Sequence, residues 1–293
     1  MSSRALRTSD AAALAAAQDA AREELAEQTG KKGSGRAPKV DKDGWHRFTV
    51  DVWITNFNSI EFGVYKRSRN RAKSRQFTSD MDVFAEIIEN GERTGLLGYR
   101  EDLWKQNSGM DKRLVFKMFN ETVNWRATMD LMVGRSLQLT IGARGFPVTS
   151  YSINTNDDNY IIYLERSAYK WPLLPENFSF FLMNGNEPEF YRLKRALIDL
   201  GGDYTLYDQN GNVVGNIDGK VFSLGGKWHG KVKQGHADKR LLTVMKLFAG
   251  MLIFNSDSRR HMKRLHRDVL RGKIKPKIER QEGDLYMNPR RVR

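Results

Sequence analysis

The sequence contains no cysteine. Without thiols the chain has no disulfide scaffold, no thiolate nucleophile and no cysteine-ligated zinc site, and an intracellular protein is the simpler interpretation. Long apolar runs are missing as well, because no segment reaches the roughly eighteen uninterrupted apolar residues of a membrane-spanning helix. We therefore expect no transmembrane span and a location in the cytoplasm or peripheral to a membrane.

The common catalytic motifs are absent too. There is no G-x-S-x-G elbow, no G-x-x-x-x-G-K-[ST] loop and no G-x-G-x-x-G after a strand. The five histidines match neither an H-E-x-x-H helix nor a zinc-ligand spacing; they are His46, His229, His236, His261 and His266. The sequence thus identifies no catalytic residue, no metal ligand and no cofactor, which favours a binding protein over an enzyme without deciding between them.

Acidic residues are in deficit. The chain has 35 Asp and Glu against 49 Lys and Arg, which gives a net charge of +14 and a pI near 9.8. Such a balance favours acidic partners, among them nucleic acid and anionic lipid. Residues 258–293 alone contain thirteen basic and four acidic residues, so they contribute +9 of the total.

Two basic clusters are the candidate polyanion-binding sites. The first is predicted to be an exposed loop after a strand at residues 60–65, and the second is predicted to begin as a helix over residues 259–271. In this helix Met262, Leu265 and Val269 form a narrow apolar stripe that either packs on the domain or inserts into a membrane. The candidate residues are Lys66, Arg67, Arg69, Arg71, Lys73, Arg75, Arg259, Arg260, Lys263, Arg264, Arg267 and Arg271.

Neither basic cluster contains Phe, Tyr or Trp. Proteins that read single-stranded RNA stack bases on aromatic side chains, so these clusters are suited to phosphate contact without base reading. Lipid headgroups and nonspecific nucleic acid both fit that description.

The chain divides by composition into a tail and a β-rich region. Residues 1–44 read as a flexible tail with a transient Ala-rich helix. From Trp45 apolar and polar residues alternate, as in half-buried strands, and turn signals separate successive strands. Strands are predicted around residues 48–54, 137–141, 151–154, 160–164, 178–183, 204–207, 213–217, 220–224 and 228–232. The Asn210-Gly211 pair is the strongest of the hairpin signals.

Two surface helices are predicted to interrupt these strands. One covers residues 80–89, with Val83, Phe84, Ile87 and Ile88 on one side, and the other covers residues 188–200. Residues 100–130 fit helix and strand equally well.

Residues 240–254 form a segment that is apolar nearly all round, and after Arg240 only Thr243 and Lys246 interrupt it. Fifteen helical residues rise about 22 Å, which is short of the roughly 30 Å hydrocarbon layer, and Lys246 adds a cost in lipid. The segment is therefore predicted to be a helix buried in the protein core.

Hairpins followed by one all-apolar helix resemble the tubby-like superfamily, which includes tubby C-terminal domains, LURP-one-related proteins and phospholipid scramblases. Residues 203–217, with their Asn-Gly turn, and residues 239–257 are similar to the family's strand–turn–strand and core helix, within a likeness over about 130–257. The resemblance implies a closed β-barrel around a C-terminal hydrophobic helix, and anionic-lipid binding or a scaffold role. The helix at 188–200 and the 36 residues after Asp257 depart from the family pattern. The cysteine cluster and Pro-rich leader of animal scramblases are also absent, so scrambling is not implied.

We therefore predict a mainly β (α+β) protein: a flexible tail at 1–44, a closed antiparallel barrel at 45–257 and a basic extension at 258–293. The favoured function is a non-enzymatic adaptor that binds anionic phospholipid, with phosphoinositides among the candidate headgroups. The alternatives are a nucleic-acid or ribonucleoprotein binding protein and a structural subunit that docks on an acidic protein partner.

Overall fold

Twelve antiparallel strands close into a barrel in the computed structural model, which describes residues 43–52, 81–156, 160–168, 175–196, 202–220 and 226–287. Each strand pairs with its neighbours in sequence, and the first strand pairs with the last to complete the ring. The strands are β1 Trp45–Val52, β2 Met81–Glu89, β3 Glu92–Arg100, β4 Val115–Asn120, β5 Trp125–Leu131, β6 Ser150–Thr155, β7 Ile162–Arg166, β8 Asn177–Asn184, β9 Glu187–Arg195, β10 Tyr204–Tyr207, β11 Val213–Lys220 and β12 Lys227–Lys233. The predicted closed antiparallel barrel is confirmed.

Within the described residues three helices of eight or more residues accompany the barrel: α1 Val133–Gly142, α2 Lys239–Leu270 and α3 Arg280–Met287. A π-helical turn at Asp102–Gln106 and two 3-10 turns, at Gly109–Asp111 and Gln234–His236, complete the regular elements. None of the helices in the described residues is both long and apolar enough to cross a membrane.

Helix α2 passes through the inside of the barrel. The ring of Phe248 lies 5.0 Å from those of Phe178 on β8 and Tyr204 on β10. One and a half turns later, Phe254 lies 5.4 Å from Phe84 on β2 and 5.3 Å from Phe116 on β4. Contact with strands from both halves of the ring requires an interior helix, so the prediction of a buried apolar helix over 240–254 is confirmed.

Lys246, the cation within this apolar helix, has an acidic partner at the barrel wall. Its Nζ lies 2.7 Å from Oε1 of Glu89 on β2, and His46 Nε2 donates a hydrogen bond of 2.9 Å to the same oxygen. Burial raises the pKa of Glu89, but the His46 hydrogen bond and the Lys246 charge outweigh it and hold the pKa at about 2. The pair removes the cost of burying Lys246 alone.

The Glu89 carboxylate makes the stability of the protein depend on pH. Because the pKa of Glu89 falls from 4.5 to about 2 on folding, its contribution is complete above pH 4.5 and is lost as the pH falls toward 2. The shift corresponds to about 3 kcal/mol. Replacing Glu89 with Gln should lower the free energy of unfolding by about that amount at pH 7 and by almost nothing near pH 2. Urea denaturation across pH checks this, and a pH-independent difference between the proteins would contradict it.

The predicted helix over residues 80–89 is wrong over its described part, because Met81–Glu89 is strand β2. Its pairing with β3 shifts register between Val83 and Ala85 and again between Ile87 and Ile88. Each bulge changes the phase of the inward and outward alternation, and Met81 and Val83 pack in a second apolar cluster with Leu96, Phe119 and Val123. Apolar residues on both faces of a bulged strand produce the spacing of a helix.

The predicted helix over 188–200 is also wrong over its described part, because Glu187–Arg195 is strand β9. It pairs with β8 across a tight turn at Gly185, whose φ is +61°. Tyr191 and Leu193 face inward with the period of a strand, while the Phe190 ring packs against Phe181 at 5.0 Å. The sequence resembles a helix here because apolar residues lie on both the inward and the outward face of the strand.

The predicted strand around residues 137–141 is helix α1. Its buried face includes two hydroxyl side chains, Ser136 and Thr140, that bond to the backbone of the following loop and strand. Val148 N donates to Thr140 Oγ1 at 3.0 Å, and Ser150 N donates to Ser136 Oγ at 2.9 Å. Because the buried face of this helix includes polar side chains, the spacing of its apolar residues alone does not show the helical period.

Candidate polyanion-binding surface

The basic residues after position 258 continue the helix that fills the barrel. Asp238 caps its start, accepting hydrogen bonds from the backbone N–H groups of Arg240 and Leu241 at 2.6 and 2.9 Å. The helix ends at Leu270, where Lys273 N donates to Asp268 O at 2.9 Å and Gly272, with φ +68°, turns the chain away. The predicted helix over 259–271 is thus confirmed, and it is joined rigidly to the barrel core.

The apolar stripe of this helix packs on the protein. Met262 and Leu265 are buried in the main hydrophobic core, and Val269 packs against that core. Of the two alternatives for the stripe, the structure therefore shows packing on the domain. The stripe is not free to enter a membrane.

The opposite side of the helix is a continuous row of cations, the basic face, formed by Arg260, Lys263, Arg264, Arg267 and Arg271, all exposed. Their spacing of three and four residues brings them onto one side of the helix. Within the described residues Arg260 has a carboxylate partner, Asp257, while Lys263, Arg264 and Arg267 have none. The row extends about 16 Å along the helix.

Lys112 enlarges the basic face. Its Nζ lies 4.4 Å from the centre of the Trp104 ring, and burial together with the nearby Arg264 charge lowers the pKa of Lys112. The same Trp104 ring meets His261 edge-on at 5.8 Å. Burial, Lys112 and Arg264 lower the pKa of His261 to about 4, so this histidine is neutral at physiological pH. The cations are thus close enough to destabilise one another's charge.

Arg259 has a different environment from its neighbours. Its Nη1 lies 3.8 Å from Oε1 of Glu176, a carboxylate that also pairs with Arg166. Tyr204 OH and Asn255 Nδ2 donate to the other oxygen of Glu176 at 2.6 and 3.0 Å. Burial raises the pKa of Glu176, but Arg166 and the hydrogen bonds outweigh it, so the carboxylate stays ionised. This polar cluster binds helix α2 to strands β7 and β10.

A basic segment, residues 272–280, follows helix α2 and carries Lys273, Lys275, Lys277 and Arg280. Its far end is anchored by Glu282, whose Oε2 and Oε1 accept hydrogen bonds from Gly134 N at 2.9 Å and Arg135 N at 2.6 Å. A carboxylate at the start of helix α1 is favourable because the free N–H groups there carry partial positive charge. Both ends of the segment are therefore fixed.

The structure describes only one of the two predicted basic clusters. Residues 66–75, with Lys66, Arg67, Arg69, Arg71, Lys73 and Arg75, lie outside the described residues, so their prediction remains a prediction. Sequence reasoning missed Lys112, since an isolated lysine gives no signal until the fold brings Arg264 beside it. Lys273, Lys275 and Lys277 alternate with other residues in a basic run that the sequence itself shows.

The surface can attract and hold negative charge. In the part of the chain that the structure describes, no set of three His, Asp or Glu residues is arranged to hold a metal ion. The ionised Glu176 is saturated by arginine, tyrosine and asparagine, which suits a structural role. Comparison with protein-family models, with curated proteins and with solved structures gives no match for this chain.

Proposed function

We propose that this protein is a tubby-like β-barrel that binds the surface of anionic membranes through its basic face and acts as a non-enzymatic adaptor or scaffold. One observation carries the proposal: five exposed cations lie in a row on a helix whose other side is buried in the barrel core. Near an anionic bilayer each Lys or Arg contributes about 1 kcal/mol, so the row suffices for reversible attachment. The buried side keeps the row in place, which reduces the entropy lost on binding.

The architecture supports the tubby-like part of the proposal. A closed antiparallel barrel surrounds an apolar helix near the C-terminal end of the described chain, as the resemblance implied. The helix predicted at 188–200 would have been an insertion relative to that family. Its described part is strand β9, so this departure from the family pattern does not apply there.

Lipid headgroups fit the basic face better than nucleic acid does. None of its five members is aromatic, and the neighbouring ring of Trp104 is buried beneath Lys112 and His261. Proteins that hold single strands use accessible rings for stacking, which adds to phosphate contact. A row of cations with no aromatic member is suited to a surface of phosphates.

Liposome binding tests the proposal. Replacing Lys263, Arg264 and Arg267 with Gln removes three charges and should weaken binding to phosphatidylserine or phosphoinositide vesicles by about 100-fold at low salt. The matched control replaces Arg192, Lys194 and Lys239, three exposed cations outside the basic face, with Gln. Cosedimentation should show the control binding within about threefold of wild type.

Two results would overturn the proposal. One is a wild-type protein that does not sediment with anionic vesicles at low salt. The other is an equal loss in the two triple variants, which would mean that net charge alone attracts the protein. Absorbance at 260 nm that copurifies and disappears with nuclease would instead favour the nucleic-acid alternative.

A further inference from the structure

Large apolar side chains are exposed around the C-terminal end of helix α2. Leu270 is 69% exposed and Ile278 is 63% exposed, and Ile141 and Phe146 follow at 45% and 40%. Single exposed apolar residues are common on protein surfaces, but a group of them marks an interaction site. We name Ile141, Phe146, Leu270 and Ile278 the apolar rim.

Contacts between the three segments bring these residues together. Ile141 and Ile278 line one groove of about 290 Å³ between helix α1 and the basic segment. Gly145, next to Phe146, lies against the His266 ring, which is 2.9 Å from the position a Cβ would take. Leu270 follows His266 by four residues, one turn further along the same side of α2.

Cations surround the rim. Arg267 of the basic face lies on the last turn of α2 with Leu270, and Arg271 directly follows that turn. Lys273, Lys275 and Lys277 separate Leu270 from Ile278, and Lys277 Nζ lies 2.5 Å from Asp111 Oδ1. Aliphatic side chains among fixed cations complement the boundary between phosphate headgroups and acyl chains.

We propose that the apolar rim inserts into the headgroup–acyl boundary of the anionic membrane that the basic face attracts. The inference rests on the proposed function and adds an apolar contact to the electrostatic contact of the basic face. Charge attraction weakens as salt screens it, whereas burial of aliphatic side chains does not. The rim also sets an orientation, because it lies at one end of α2: the C-terminal end of that helix lies nearer the membrane than its N-terminal end.

A single fluorophore can report insertion, because the chain has no cysteine of its own. Leu270→Cys, labelled with the environment-sensitive dye NBD, should shift to shorter wavelength on anionic vesicles, and brominated lipids should quench it. The matched control is Phe181→Cys, which is 56% exposed on strand β8 near the N-terminal end of α2. The control label should show neither effect while its protein cosediments equally.

Salt dependence gives an independent measurement. Leu270→Ser combined with Ile278→Ser should weaken vesicle binding about tenfold at low salt and by the same factor at physiological salt, because salt does not screen the apolar contact that is lost. Both positions are exposed, so the melting temperature should not change.

The outcomes separate this inference from the proposed function. Cosedimentation of labelled Leu270→Cys without a spectral shift or quenching would overturn the inference and leave the proposed function standing. Absence of binding by the wild-type protein would overturn both. A spectral shift that depends on protein concentration without vesicles would show that the rim joins two copies of the chain, which also overturns the inference.

Discussion

Met251→Asp should prevent the protein from folding. Met251 has no exposed surface and lies on the section of helix α2 inside the barrel. The substitution removes an apolar side chain from the core and introduces a carboxyl group without a partner. The expected cost is about 5 kcal/mol, comparable to the whole stability of a domain.

Ile253→Asp is the matched control, since it introduces the same group two residues away where the side chain is 39% exposed. Its cost should be below about 1.5 kcal/mol. Circular dichroism and urea denaturation of the soluble fractions measure the difference. A folded Met251→Asp protein with the melting temperature of wild type would refute the interior position of the helix.

Glu176→Gln should cause the second-largest loss. The Glu176 side chain is 6% exposed and neutralises Arg166, whose side chain is 13% exposed. Gln keeps the shape but leaves two guanidinium groups, those of Arg166 and Arg259, without their shared countercharge. Removing one partner of a buried ion pair costs about 3–5 kcal/mol, so the free energy of unfolding should fall by that amount.

Glu101→Gln serves as the control for this change. Glu101 pairs with Lys105 at 2.6 Å, but the two side chains are 43% and 58% exposed. Exposed pairs contribute less than about 1 kcal/mol, because water screens them. Similar losses in the two variants, measured by urea denaturation, would mean that the Glu176 cluster does not stabilise the junction of α2 and the barrel.

The sequence predicted those features that depend on local pattern. The largely apolar run of 240–254 can be stable only in a protein core or in lipid. Its short length and Lys246 argue against a membrane-spanning helix, which leaves the core. Turn chemistry also acts locally: Asp208 Oδ1 accepts hydrogen bonds from Asn210 N and Asn212 N at 2.9 and 2.8 Å, and Gly211 adopts φ +81°. The hairpin at Asn210-Gly211 was predicted correctly for this reason.

The errors arose where tertiary contacts override local pattern. Strand β2 carries bulges and buries apolar residues on both faces, and helix α1 buries Ser136 and Thr140. Both effects depend on partners far away in sequence, so periodicity misassigned the two segments in opposite directions.

The candidate site was likewise predictable from local pattern only in part. Charge and helical spacing identified Arg260, Lys263, Arg264, Arg267 and Arg271. Sequence could not show that Arg259 would face Glu176 or that Lys112 would join Arg264, because long-range contacts bring those pairs together. It also could not show which apolar residues near the cations are covered: Met262 and Leu265 are buried, whereas Leu270 and Ile278 are exposed.

The pairing of β1 with β12 has a consequence for synthesis of the chain on the ribosome. The ring cannot close until the last strand has emerged, and α2, which fills its interior, follows that strand. At a typical rate of elongation, α2 appears about 10 to 40 s after β1. From the time each is made until α2 appears, Phe84, Phe116 and Phe178 lack the helix that covers them, so the nascent barrel must be protected from aggregation until that helix has been made.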